Sequence, residues 1–135
     1  MHNANAANTY KNQQVLTTSP ENLTLMLYDG AIRFVGESIS AIEEGKIAKS
    51  NNANLKAQNI VKEFMCTLDM QYDLSENLMA LYEYINYRLV QGNLKKDHAQ
   101  LIEAKNMLIE LRETWQQVMK ISKVGRAQQG IAQGI

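Results

Sequence analysis

The sequence predicts an all-α protein, an antiparallel up-down four-helix bundle with a polar lead and a loose tail. Three observations carry this. The 135 residues include a single proline, Pro20. Leu, Met, Ala, Gln, Glu and Lys dominate the middle of the chain, and strand-type alternation is absent. Apolar residues recur at spacings of three and four in four separate runs.

Helix one is expected from Ser19 to about Glu44. Ser19 can cap an orphan amide, Pro20 suits the first helical position, and Glu21 suits the positive end of the helix dipole. Gly45 is a natural left-handed stop. One stripe is Leu25, Tyr28, Ile32, Val35, Ile39 and Ile42; a second is Leu27, Ala31, Phe34, Ser38 and Ala41. Leu23 and Met26 widen the arc, so this helix carries more apolar surface than one bundle face can use. Asp29 and Arg33 are spaced for an i,i+4 pair.

Helix two is expected from somewhere in 47–50 to about Met70, with a fraying start at "SNNAN" and a stripe of Ala53, Ala57, Ile60, Phe64 and Leu68, flanked by Val61 and Met65. Helix three opens on a capping box of Asp73 and Glu76, presents Leu74, Leu78, Leu81, Ile85 and Leu89, and stops at Gly92. Helix four opens on Asp97, with Gln100 reaching back, and carries Leu101, Ala104, Leu108, Leu111, Trp115 and Val118 before fading near Ser122. The domain is thus 19–122. Residues 1–18 form a polar lead in which Tyr10, Val15 and Leu16 are the substantial apolar side chains beyond Met1, and 123–135, rich in Gly and Gln, form a disordered tail. Short links and heptad-like spacing favour antiparallel packing at shallow angles.

Composition excludes several functions. Fourteen basic and fourteen acidic residues balance, which gives no electrostatic reason for nucleic acid or an anionic membrane. No apolar run reaches membrane-spanning length, and the start "MHNANAANTYKNQQ" is not a secretion leader. One cysteine, Cys66, rules out an internal disulfide and fits a reducing compartment. The expectation is a cytosolic protein.

Catalytic and metal constellations are missing too. Neither His2 nor His98 follows a Glu by three, the spacing of di-iron bundles. One Cys and two distant His do not make a zinc site. Cys66 has only Lys62 as a basic neighbour and reads as a plain thiol. Gly30 and Gly36 lie inside helix one, where close helix packing explains them more simply than an open binding surface. No enzyme and no cofactor are expected. "LYEYINYRL" sets Tyr82 near the core stripe and Tyr84 and Tyr87 on another side, beside Met79, a composition suited to a binding surface.

Taken in order, "TYKNQQV", "TTSPENLTLMLYDGAIRF", "LKAQNIV", "ENLMALYEYINYRLVQGNLKKD" and "LIELRETWQQ" resemble the FliS family of flagellar secretion chaperones, from about Thr9 to Met119. The resemblance implies a cytosolic chaperone without catalytic residues. It would bind the disordered C-terminal segment of flagellin, prevent premature polymerisation and assist delivery to the flagellar type III export gate. It also leaves room for a cytosolic regulator or co-chaperone. Candidate client contacts are Tyr10 and Leu16 in the lead and Leu23, Leu27, Ala31 and Phe34 on helix one. Helix two adds Ala57, Ile60, Val61 and Phe64, and helix three adds Met79, Tyr82, Tyr84 and Tyr87. The excess face of helix one would lie beneath the lead or the client. The alternatives are a self-associating helical module with no flagellin client, and a bundle enzyme or metal carrier.

Overall fold

The computed structural model describes the backbone of residues 19–133 and the side chains as far as Ser122. It contains four helices, α1 (Pro20–Glu43), α2 (Ile47–Thr67), α3 (Asp73–Lys95) and α4 (His98–Gln133), and no strand among the described residues. The links, 44–46, 68–72 and 96–97, are too short to cross the bundle, so sequential helices run antiparallel. α1 packs on α2 and α4, and α3 packs on the same two, which leaves α1 and α3 on one diagonal. The all-α bundle read from the periodicity is the fold found.

Local chemistry sets the ends of α1. Ser19 is extended and its Oγ accepts from the Asn22 amide at 3.2 Å, with Pro20 next in the first turn. At the other end Gly45 takes φ +73°, Gly45 N–H donates to Ile42 O at 3.0 Å, and Lys46 N–H donates to Ala41 O at 2.8 Å. This pair of bonds is a Schellman cap.

The start of α2 is firmer than its composition suggests. Its weak helix formers are spent on the neighbouring helices. Ser38 Oγ donates to Ser50 O and Ser50 Oγ to Ser38 O, both at 3.0 Å, which staples α1 to α2. Asn54 Nδ2 donates to Leu89 O at 3.2 Å, and Gln58 Nε2 donates to Asn54 Oδ1 at 2.7 Å. Ser38, Ser50 and Asn54 are fully buried, so an unpaired polar atom here would be costly and these bonds hold the register. α2 then ends at Thr67, short of Met70, because Leu68 turns extended and Asp69 Oδ1 accepts from the Gln71 amide at 3.0 Å. An Asp side chain offering its own turn competes with the helix at that point.

α3 departs most from the pattern read in the sequence. Tyr72 is its N-cap and makes no side-chain cap, so the expected Asp73–Glu76 box is not formed; both carboxylates sit in the first turn, where the dipole favours them. The buried face is Ser75, Tyr82, Ile85, Leu89 and Gly92, while Leu74 and Leu81 point outward. Polar tips did not keep Ser75 and Tyr82 out, because each finds a partner, Asp69 O for Ser75 and the buried Tyr28 hydroxyl for Tyr82. The helix also runs past Gly92 to Lys95 and stops where Lys96 adopts φ +50°. Gly92 serves packing: a Cβ there would lie 2.6 Å from Leu101 Cδ2.

Asp97 caps α4 as expected, its Oδ1 accepting from the Ala99 amide at 3.0 Å; Gln100 reaches back to the carboxylate at 3.1 Å. Helical backbone continues to Gln133, beyond the fading expected near Ser122 and through most of the span expected to be a loose tail. No proline interrupts it, and extending an existing helix costs far less than starting one. The expected Asp29–Arg33 pair is replaced by Asp29 with Arg112 across the α1–α4 seam, while Arg33 lies 3.8 Å from Glu37. The core is Val35, Val61, Ile85, Leu89, Leu101 and Leu108, without exposed surface. No helix is long and apolar enough to cross a membrane, and no acidic, His or Cys cluster suited to a metal occurs among the described residues.

Candidate functional site

The two ends of the bundle are packed differently. Towards the α1–α2 link, α1 and α2 bring small and polar side chains inward, Ser38, Ala41, Ser50, Ala53, Asn54 and Ala57, beside Leu89 of α3 and Leu101 of α4. Towards the other end, where α1 and α3 begin and α2 finishes, the chain supplies large side chains, Tyr28, Phe64, Tyr82 and Trp115. A cavity of about 400 Å³ lies at this second end.

Its lining draws on all four helices. Thr24 and Tyr28 come from α1, Phe64 and Thr67 from α2, and Leu68 and Asp69 from the link. α3 gives Leu74, Leu78 and Tyr82; α4 gives Leu111, Thr114, Trp115 and Val118. The floor is aromatic. Phe64 lies 4.5 Å from the Tyr28 ring and 5.4 Å from the Tyr82 ring, centroid to centroid, and the two tyrosine hydroxyls meet at 2.7 Å. Trp115 Nε1 donates to Glu21 O at 3.0 Å, tying α4 to the first turn of α1. At the mouth, Leu74 is 65% exposed and Val118 48% exposed. Exposed apolar side chains at the rim of an aromatic cavity make this end of the bundle the candidate interaction site.

Burial raises the pKa of the Tyr28 hydroxyl far beyond the ordinary tyrosine range, with the bond to Tyr82 adding to it, and burial raises Tyr82 as well. A phenol whose folded pKa is raised contributes stability that is complete below its unfolded value, about pH 10, and is lost as pH rises through the folded value. Tyr28 and Tyr82 are therefore expected to ionise only as the bundle unfolds. Phenolate absorbance followed beside helical circular dichroism checks this: Tyr28→Phe/Tyr82→Phe should remove absorbance only from the stage that coincides with unfolding.

The residues expected to touch a client fall into five places. Tyr10 and Leu16 lie outside the described residues. Ala31, Ala57 and Val61 have no exposed surface and belong to the core, so they can support a binding face but not touch what sits on it. Phe64 and Tyr82 are buried yet line the cavity. Leu23, Leu27, Phe34 and Ile60 lie partly exposed on α1 and α2; a Cβ at Gly30 would meet Ile60 Cδ1 at 3.5 Å, an ordinary packing distance. Phe34 is covered by two cations, Arg33 at 4.9 Å and Lys56 at 5.4 Å from its ring centre. Met79 is half-buried, Tyr87 is exposed, and Tyr84 is engaged by Glu103 and by Arg88 Nε at 2.9 Å.

By periodicity most of the cavity wall belongs to ordinary core stripes. Tyr28, Leu68, Leu78, Leu111, Trp115 and Val118 all sit on predicted core stripes, and Leu74 does too. The hint in the sequence was size. In an antiparallel bundle the starts of α1 and α3 meet the end of α2, and there the stripes turn aromatic together.

Comparison with known proteins decides the family. Residues 3–122 match the family described as flagellar protein FliS. The chain belongs to the FliS family. It is 36% identical to the flagellar secretion chaperone FliS of Bacillus subtilis over 117 residues, which cover 87% of this chain and 88% of that one. It is 32% identical to the flagellar secretion chaperone FliS of Salmonella typhimurium, covering 77% and 79%, and 29% identical to that of Campylobacter jejuni, covering 87% and 94%. Membership of FliS makes this bundle a flagellar secretion chaperone, and a chaperone of that kind needs a face for a flagellar client. The end cavity and its apolar mouth are suited to be part of it.

Proposed function

We propose that this chaperone binds the disordered C-terminal segment of flagellin in the bacterial cytosol, keeps it from polymerising and helps deliver it to the flagellar type III export gate. The observation that supports it best is the aromatic cavity with Leu74 and Val118 exposed at its mouth. An amphipathic segment laid across the bundle gains by seating apolar side chains in such a place, the helix-in-groove mode of recognition. Ordering the segment costs about 2–5 kcal/mol, so a long contact beyond the cavity has to offset it. The partly exposed α1–α2 face of Leu23, Leu27, Phe34 and Ile60 can supply part of that contact. The lead precedes Ser19 of α1, and its Tyr10 and Leu16 are proposed to cover part of that α1–α2 face when no client is bound. Release needs no nucleotide in this scheme, because the export machinery takes the client by exchange.

Calorimetric titration with the C-terminal segment of the same organism's flagellin tests the reading. One-to-one binding with a negative heat-capacity change, lost when that segment is removed from full-length flagellin, is the expected result. No heat, together with a concentration-dependent dimer in sedimentation, would favour a self-associating module, to which the exposed Tyr87 and Leu94 would lend a surface.

A further inference from the structure

The cavity offers side-chain donors from Thr24, Thr67, Thr114, Trp115, Tyr28 and Tyr82, and most are already spent. Thr24 Oγ1 donates to Pro20 O at 3.1 Å, Thr67 Oγ1 to Glu63 O at 2.9 Å, and Thr114 Oγ1 to Glu110 O at 3.0 Å. Each threonine has turned its hydrogen back onto its own helix. Trp115 Nε1 is held by Glu21 O. The tyrosine pair differs. Two hydroxyls carry two hydrogens, and their mutual bond uses one, whichever is the donor. The other O–H has no acceptor among the described residues. A ligand that fills the cavity displaces water from that donor, so one that supplies an acceptor is favoured over one that does not.

We propose that the Tyr28–Tyr82 pair is a polar reader at the floor of this cavity, and that the cavity takes apolar side chains of the client with one oxygen acceptor among them. This rests on the client reading above and narrows it. The occupant is a helical stretch of the flagellin segment. A helix brings its backbone amides already paired, whereas an extended strand would bring free N–H groups to a largely apolar wall. A hydroxyl or amide oxygen on its buried face would meet the spare tyrosine hydrogen. An all-hydrocarbon face would leave that hydrogen unmatched, and a carboxylate would pay for desolvation at the same spot.

A matched pair of small probes tests the chemistry without flagellin. Acetophenone and α-methylstyrene have nearly the same shape, and only the first has an acceptor oxygen. The ratio of their affinities, measured by NMR titration, is expected to favour acetophenone about five-fold more in the natural chain than in Tyr28→Phe/Tyr82→Phe. Either single Phe variant keeps one free hydroxyl and should keep the natural ratio. Equal ratios in the natural and doubly substituted chains would overturn the proposal. Should the double variant not fold, ¹³C labels at tyrosine Cζ in the natural chain decide instead: acetophenone must move the Tyr28 or Tyr82 resonance more than α-methylstyrene does, and equal movement overturns it. The flagellin segment is then added as competitor. Displacement of acetophenone supports the client as occupant. Flagellin binding by calorimetry without displacement would remove the client from the cavity while leaving the chaperone reading intact. Probe binding that appears only in Tyr10→Ala/Leu16→Ala would place the chain's own lead there and overturn the client as occupant.

Discussion

Leu74→Glu is expected to leave the bundle as stable as before and to weaken flagellin binding at least thirty-fold. Both halves follow from where Leu74 sits. It is 65% exposed, so its removal costs the core little, and exposed substitutions usually change stability by less than about 0.5 kcal/mol. It also lies in the first turn of α3, where the helix dipole favours a carboxylate. Yet its side chain forms part of the cavity mouth, beside an interior whose threonine and tryptophan donors are occupied. A bound apolar segment would strip water from the new charge and give it no partner, a loss of about 2 kcal/mol or more, which corresponds to the thirty-fold change. Leu94→Glu is the control. Leu94 is 74% exposed on the same helix but near its far end, away from the cavity, and its substitution should leave affinity unchanged at a cost of about 0.3–1 kcal/mol in stability, because the dipole disfavours a carboxylate in the last turn. Thermal unfolding and calorimetry on the two variants give the answer. Equal flagellin affinity for Leu74→Glu and the natural chain would remove the cavity mouth from the client site.

The helices themselves were legible because each carries long apolar periodicity and identifiable ends: Ser19-Pro20 and Gly45 for α1, Asp97 for α4. Periodicity could not say which of two adjacent stripes on α3 faces inward. Leu74-Leu78-Leu81 is the greasier choice, and Ser75-Leu78-Tyr82 the one used. The deciding facts are long-range: Tyr82 meets Tyr28 from the diagonal helix, and Ser75 meets Asp69 O in the preceding link. The same reason hides the polar interior around Ser50 and Asn54. "SNNAN" reads as a poor helix start until Ser38 and Leu89 O are placed opposite it. The candidate site was the least legible, because a cavity is a property of four helices at once. Single-helix reasoning assigned Leu111, Trp115 and Val118 to the core and placed Ala31, Ala57 and Val61 among the contacts, although the last three have no exposed surface.

Gly92 and Leu101 should behave as one unit in a double-mutant cycle. In the sequence Gly92 looks like a helix stop; in the fold it is a buried position inside the last turn of α3, against the fully buried Leu101 of α4. A Cβ at residue 92 would sit 2.6 Å from Leu101 Cδ2 and 2.9 Å from its Cγ. The Cγ contact cannot be relieved by turning the end of the side chain alone, so α3 and α4 must separate or Leu101 must leave its rotamer. Overpacking of this kind costs about 1–3 kcal/mol, against about 1 kcal/mol gained by replacing glycine with alanine in a helix. Gly92→Ala is therefore expected to be destabilising by about 1 kcal/mol. Leu101→Ala empties part of the core and should cost about 3 kcal/mol. In the combined variant the new methyl group occupies space that Leu101 has vacated. The clash disappears, the void shrinks, and the helix-propensity gain is realised. The double variant should be more stable than Leu101→Ala alone, an interaction of 1 kcal/mol or more in favour of the pair. Urea unfolding of the three variants and the natural chain measures it. Additive losses would mean that the two helices already have room at this crossing, and that Gly92 is there for the helix end after all.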